Sequence, residues 1–260
     1  MRCLLFITGA SSGIGQALAA HAYTLDWDLA LVARRESQLQ HWAEACRLDP
    51  ARYRVYAADV ADVDSIVAAA RACLGQQGVP EVVIASAGIS IGMDTAARED
   101  LDIMARTLAI NNVGLAATFH PFIEPMRQRG SGRLVGIASV AGLRGLPGHG
   151  AYCASKAGVI SYCESLRGEL RGSGVRVVTL SPGYVDTPMT QQNRYAMPFL
   201  ISPQTFAARA WPAIVSGVSH RVIPWPMALA ARPLRWLPDT LFDALLAGRP
   251  RKHRAGGPRG

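Results

Sequence analysis

The sequence predicts an α/β protein: a doubly wound parallel sheet of about seven strands with helices on both faces. Three observations carry that prediction. Apolar runs such as Val82-Val83-Ile84-Ala85 lack polar alternation, as strands buried on both faces require. Helical periodicity recurs between such runs at the spacing of strand–helix–strand units. The first run, Leu4–Thr8, enters a glycine-rich turn, Thr8-Gly9-Ala10-Ser11-Ser12-Gly13-Ile14-Gly15, and then a helix marked by Ile14, Leu18 and Ala22. That order presents the free N–H groups of a helix N-terminus to an anion such as a phosphate.

The second strand is Asp28–Ala33, followed by Arg34-Arg35. In dinucleotide-binding sheets that prefer NAD, a carboxylate near this point takes the ribose 2′-hydroxyl. Here two guanidiniums stand instead, suited to a 2′-phosphate, so NADP(H) is expected ahead of NAD(H). A helix at 36–47, a strand at Tyr53–Ala57 with Asp59-Val60 after it, and an alanine-rich helix at 62–76 come next. The fourth strand, 82–85, runs into Ser86-Ala87-Gly88. A long helical stretch, 98–129, contains the polar pair Asn111-Asn112, which needs partners inside an apolar helix. The fifth strand, 133–139, ends on Ser139 at the carboxyl edge, where ligands sit in such sheets. A glycine-rich loop at 140–150, expected to be flexible, leads to a helix reaching about Arg171. The sixth strand, 175–180, closes with Ser181-Pro182-Gly183-Tyr184-Val185-Asp186-Thr187.

Tyr152 and Lys156 are four apart at the start of that last helix, so phenol and ammonium share one face. A neighbouring cation favours phenolate and brings tyrosine toward the range useful for acid/base work. The chain has 27 Lys+Arg but only two lysines, Lys156 and Lys252, which marks Lys156 as a position needing a compact ammonium. Cys153 reads as a buried structural thiol and His149 as a turn residue. Met93, Met189, Tyr184 and Met197 suit an apolar pocket or ordinary core.

Composition narrows the rest. With 260 residues, 50% hydrophobic and 18% charged, the chain fits one large folded domain. That domain is expected to span 1–248, with a lid at about 188–202, an apolar extension at 225–248 and a basic disordered tail at 249–260. The tail holds +5 of the net +8, so the body lacks a nucleic-acid footprint. Five scattered cysteines without paired spacing argue against metal or disulfides and for a reducing, cytoplasmic setting. No run reads as a transmembrane helix. The segment from Trp225 interleaves tryptophans with arginines. It suits a cap over the pocket, a subunit interface, or an anchor lying on the inner face of a membrane through 225–260.

Taken in order, these motifs resemble the short-chain dehydrogenase/reductase family, single-domain Rossmann-fold oxidoreductases dependent on NAD(P)(H). The resemblance covers about Cys3 to Thr187 and rests on the glycine turn at 8–15, Asp59-Val60, Ala87-Gly88, Asn111, Ser139, Tyr152-x-x-x-Lys156 and Pro182-Gly183. Ser139 precedes Tyr152 by thirteen, the family's usual interval. It implies hydride transfer between nicotinamide and the carbonyl or alcohol carbon of a small substrate, here a fairly apolar one. Tyr152 would be the acid/base, Lys156 its tuner and a grip on the nicotinamide ribose, Ser139 the clamp on substrate oxygen, and Asn111 the holder of a relay water. Gly9, Ser11, Ser12, Gly13, Ile14 and Gly15 would line the pyrophosphate and ribose, and Arg34 and Arg35 the 2′-phosphate. Asp59 and Val60 would flank adenine, with Ala87 and Gly88 beside them in the cofactor site. Pro182, Gly183, Val185 and Thr187 would enclose the nicotinamide end. The family also implies a homodimer or homotetramer. Ala85-Ser86 stands where the family usually has Asn-Asn, and Gly136-Ile137-Ala138-Ser139 where Asn-Ile-Ser-Ser is common. The competing reading is a non-catalytic NADP(H)-binding sensor or scaffold.

Overall fold

The computed structural model describes residues 2–193, 195–248 and 254, and for 230–235 the helical backbone only. Its strands are β1 (Leu4–Thr8), β2 (Asp28–Ala33), β3 (Tyr53–Ala57), β4 (Val82–Ala85), β5 (Gly132–Ile137), β6 (Val175–Pro182) and β7 (His220–Ile223). All pair in parallel, in the order β3-β2-β1-β4-β5-β6-β7. The order reverses between β1 and β4, which opens a crevice at the carboxyl ends of those strands.

Alternation along β1 feeds two cores. Leu4 and Phe6 point into one layer with α3 (Val63–Gln76), α5 (Gly114–Arg129) and α6 (Gly150–Glu169). Leu5 and Ile7 point into the other, against α1 (Gly13–Thr24), α2 (Glu36–Ala45) and α7 (Pro203–Ser216). Because the side-chain period of a strand is two, an apolar run is what two covered faces demand. Phe6 meets Phe122 with ring centroids 4.7 Å apart and both are fully buried, so truncating either to alanine costs about 3–5 kcal/mol. Helix starts follow local chemistry. Asp62 accepts from Asp64 N and Ser65 N to cap α3, and Ser202 accepts from Thr205 N to open α7.

The long stretch expected at 98–129 departs from a single helix. It is α4 (Asp100–Leu108), a π-helical turn over Ala109–Val113, and then α5. The wider turn rotates Asn111 and Asn112 relative to a regular α-helix, and such turns gather at functional sites. Two further helices, α8 (Trp225–Trp236) and α9 (Asp239–Leu246), complete the described chain.

The loop at 140–150 is held in place. A short 3₁₀ turn, Val140–Gly142, packs so closely on α6 that a Cβ at Gly142 would lie 2.6 Å from the Lys156 carbonyl carbon. Arg144 donates to Leu237 O and to Asp239 Oδ1, and its guanidinium lies 4.2 Å from the Phe242 ring centroid. Of the basic tail expected at 249–260, Arg254 alone is among the described residues. It donates to Asp100 Oδ2 at 2.7 Å and bridges Gly92 in parallel register.

Candidate active site

At the crevice β1 passes into the glycine turn. Gly9 and Gly13 have positive φ, +68° and +56°. A Cβ at Gly15 would stand 2.3 Å from Gly9 O, so only glycine lets the turn fold back on itself. Ser12, the residue before α1, is extended and makes no side-chain cap bond. The first N–H groups of α1 therefore keep their capacity to hold an anion. Thr8, which sequence reasoning passed over, ties the neighbouring loop down. Its Oγ1 accepts from Ser86 N at 3.2 Å and Ala87 N at 3.4 Å. The main chain of Ser86-Ala87 is thus anchored by Thr8, with Ser86 standing in the position where the family usually has Asn.

The crevice continues as a cleft of about 290 Å³. Its walls carry Gly9, Ser11, Ser12, Gly13, Ile14 and Gly15, then Arg34, Arg35, Asp59 and Val60, then Ala87, Gly88 and Ser139. Tyr152, Lys156, Pro182, Gly183, Val185 and Thr187 close it. Every cofactor-site residue expected from the sequence meets there, although they come from six separate stretches. Met189, one of the four residues expected to suit an apolar pocket, lines it, and Ile89, Ile137 and Pro188 add apolar wall that sequence reasoning did not assign. Arg34 lies 3.8 Å from Asp59 Oδ2 with both side chains largely exposed, a weak pairing that leaves the guanidinium available at the rim. Arg35 donates to Gln38 at 2.9 Å. The cradle brings together glycines where backbone must approach, free N–H groups, and two guanidiniums at the rim, one of them beside Asp59.

Tyr152 and Lys156 sit one turn apart near the start of α6. Lys156 is 6% exposed, donates to Ile137 O at 2.8 Å, and its Nζ lies 5.7 Å from the Tyr152 ring centroid. Burial pulls its ammonium down to about 8. Tyr152 keeps some accessible surface, yet its phenol is closely surrounded by protein. Burial raises its pKa above the usual phenol value, and the hydrogen bond with Ser139 offsets part of the rise. This corrects the sequence expectation that Lys156 sets the phenol's pKa downward. Removing a phenolate from water sets the direction, and Ser139 rather than Lys156, which is turned to the Ile137 carbonyl, is the group that lowers it.

Ser139 Oγ also accepts from Ala141 N at 3.1 Å, which fixes its rotamer at the end of β5. Asn111 stands behind the cleft wall. Its Oδ1 accepts from Ile89 N at 2.9 Å, and its Nδ2 donates to Ile89 O and to Ser155 Oγ. A Cβ at Gly88 would lie 3.1 Å from that Oδ1 and 3.5 Å from Lys156 Nζ, so glycine is what lets the two groups approach. The sequence expectation gave Asn111 a relay water; in the structure its amide is committed to the Ile89 main chain and α6.

Above the start of α6 the segment after Thr187 leaves and returns, its ends joined where Val185 bridges Ile201. Tyr195 from this segment stacks edgewise on Tyr184, 6.2 Å away, and on His149, 5.9 Å away. Its hydroxyl is 3.3 Å from His149 Nε2. Burial pushes Tyr195 up to about 12. His149, expected to be a turn residue, is the 7% exposed residue just before α6 and meets Tyr195 of the segment where a lid was expected.

Comparison with known proteins decides the family. The family model described as short chain dehydrogenase matches residues 4–197. The chain belongs to the short-chain dehydrogenase/reductase family. It is an oxidoreductase of that family, a dehydrogenase/reductase with a nucleotide-binding Rossmann fold. An uncharacterized oxidoreductase of Myxococcus xanthus is 36% identical over 238 residues, 92% of this chain and 94% of that protein. A short-chain dehydrogenase/reductase of Burkholderia phymatum, solved in complex with NAD, superposes with a TM-score of 0.80 at 24% identity, covering 89% of this chain and 92% of that one. A serine dehydrogenase complexed with NADP+ superposes with a TM-score of 0.72 at 23% identity, covering 81% and 88%. The family uses NAD(P)(H), and these two neighbours hold one form each.

Proposed function

We propose that the protein transfers hydride between NADP(H) and the carbonyl or alcohol carbon of a fairly apolar small molecule, with Tyr152 as acid/base. One observation carries this reading: Tyr152, Ser139 and Lys156 share the wall of the cleft that also carries Arg34 and Arg35. The dinucleotide, when bound, supplies or accepts the hydride. The turn at Gly9–Gly15 holds its pyrophosphate with free N–H groups, and Arg34 and Arg35 hold the 2′-phosphate. Asp59 and Val60 flank the adenine, Ala87 and Gly88 wall the ribose, and Pro182, Gly183, Val185 and Thr187 enclose the carboxamide end.

Tyr152, kept protonated at neutral pH by its burial, donates its hydroxyl proton to the substrate oxygen during reduction. Ser139 donates to the same oxygen, and Lys156 stabilises the phenolate left behind. In the reverse direction Tyr152 must first lose its proton, so oxidation rises with pH while reduction falls. Asn111 acts as a positioning residue, fixing the Gly88–Ile89 turn against α6 through Ser155. Ile89, Pro188 and Met189 support the apolar substrate class. Free thiols at Cys3 and Cys46, both exposed, fit a reducing cytoplasmic compartment. Pairing through α4, α5 and α6 into a homodimer fits the half-exposed Val113 and Leu101, and size-exclusion chromatography tests it.

Initial rates over a panel of aldehydes and ketones, with NADPH and with NADH, test the proposal. Turnover of at least one apolar ketone, at least about tenfold faster with NADPH, is expected. Equal use of NADH removes the assignment of Arg34 and Arg35. Tight NADPH binding with no turnover across the panel favours the sensor or scaffold reading.

A further inference from the structure

We propose that α8 and α9 form a docking surface that lies on an anionic lipid bilayer. The inner faces of this pair are fixed to the domain. Met227 packs where a Cβ at Gly183 would meet its Cγ at 2.7 Å, and Phe242 is buried beneath Arg144. Arg144 further holds the connection between the helices through Leu237 O and Asp239.

Large apolar side chains of both helices face outward. Seven large apolar side chains among the described residues are more than half exposed, and five of them lie at 225–245. They are Trp225 at 69%, Leu229 at 64%, Trp236 at 86%, Leu241 at 56% and Leu245 at 54%. Positions 225, 229 and 236 are four and eleven residues apart, which places them on one stripe of α8. Positions 241 and 245 form a second stripe on α9. Clustering of this kind marks an interaction surface rather than scattered surface leucines.

Charge selects the occupant. Residues 225–260 carry seven Lys+Arg and two Asp; with Asp239 paired to Arg144 and Arg254 paired to Asp100, six basic residues stand against Asp243. A second copy docking by two-fold symmetry would set this basic segment against itself. An anionic bilayer instead complements it, with the tryptophans at headgroup depth and leucines in the acyl boundary. No helix among the described residues is long and apolar enough to cross a membrane, so the contact is in-plane.

The test is co-sedimentation of the full chain with vesicles of phosphatidylcholine alone or mixed with phosphatidylglycerol. The companion is the double variant Trp225→Gln/Trp236→Gln, whose indoles are exposed, so its melting temperature and NADPH binding serve as folding controls. The wild type is expected to pellet with the anionic vesicles and about tenfold less with neutral ones, and the double variant to lose at least about tenfold in partition. Lipids brominated on the acyl chain are expected to quench wild-type tryptophan emission. Absence of pelleting, or pelleting unchanged in the variant, overturns the proposal. A lipid-free dimer that the variant dissociates also overturns it, by showing that a second copy covers the face.

Discussion

Replacing Lys156 with methionine tests how much stability the site gives up to hold a buried ammonium. Burial moves this lysine from 10.5 to about 8. At about 1.4 kcal/mol per pKa unit, keeping it charged costs the native state about 3 kcal/mol. Below pH 8 both native and unfolded states are protonated, and the whole cost is present. Between about 8 and 10.5 the native state loses its proton while the unfolded chain keeps it, so stability rises with pH. By pH 9.5 about 2 kcal/mol should have been recovered, and above 10.5 all of it. Lys156→Met removes the charge and keeps the volume, at the loss of the bond to Ile137 O. Urea unfolding at pH 7 should show the variant more stable by about 1–3 kcal/mol, and that advantage should shrink by about 2 kcal/mol at pH 9.5. A variant no more stable at pH 7, with a gap unchanged at pH 9.5, would refute the reasoning. Activity should be lost in either case.

Other outcomes follow from single contacts. Gly15→Ala should weaken NADPH binding and destabilise the fold by about 1–3 kcal/mol, read by fluorescence titration and urea unfolding, since its Cβ meets Gly9 O. Arg34→Gln with Arg35→Gln should lower kcat/KM for NADPH by about 10–100-fold and leave NADH nearly unchanged. Tyr195→Phe should raise KM more than it lowers kcat, because its hydroxyl meets His149 before α6 and not the reacting atoms. Arg254→Gln should flatten the acid limb of the stability profile. Arg254 holds the Asp100 carboxyl below its usual range, so the pair stabilises above that range and loses its contribution as pH falls. Acid titration of both proteins reads this directly.

The sheet was legible because parallel strands covered on both faces leave unbroken apolar runs. Leu4–Thr8, Asp28–Ala33 and Val82–Ala85 carry the same bounds in sequence and structure, as does the half-exposed edge strand Tyr53–Ala57. The cleft was legible because its glycines and its tyrosine–lysine pair have few alternatives at those positions. What stayed hidden depends on contacts remote in the chain or on one extra residue per turn. The π-helical turn at Ala109–Val113 leaves the apolar periodicity of 98–129 nearly intact, so no pattern announces it. Arg254 reaches Asp100 across 154 positions, and Arg144 reaches Asp239 across 95. Neither pairing has a local signature. The direction of the Tyr152 shift was misread because spacing shows that a cation is near but not how much water the fold removes. Thr8 went unremarked because a threonine ending a strand looks ordinary until Ser86 and Ala87 are seen donating to it.

Tyr152→Phe measures whether Tyr152 gives the proton to the substrate oxygen. The variant keeps the ring and its packing and removes only the hydroxyl. With a ketone that the wild type reduces, kcat should fall by at least about a thousandfold with NADPH binding unchanged. Turnover within about tenfold of wild type, at equal cofactor affinity, would contradict it.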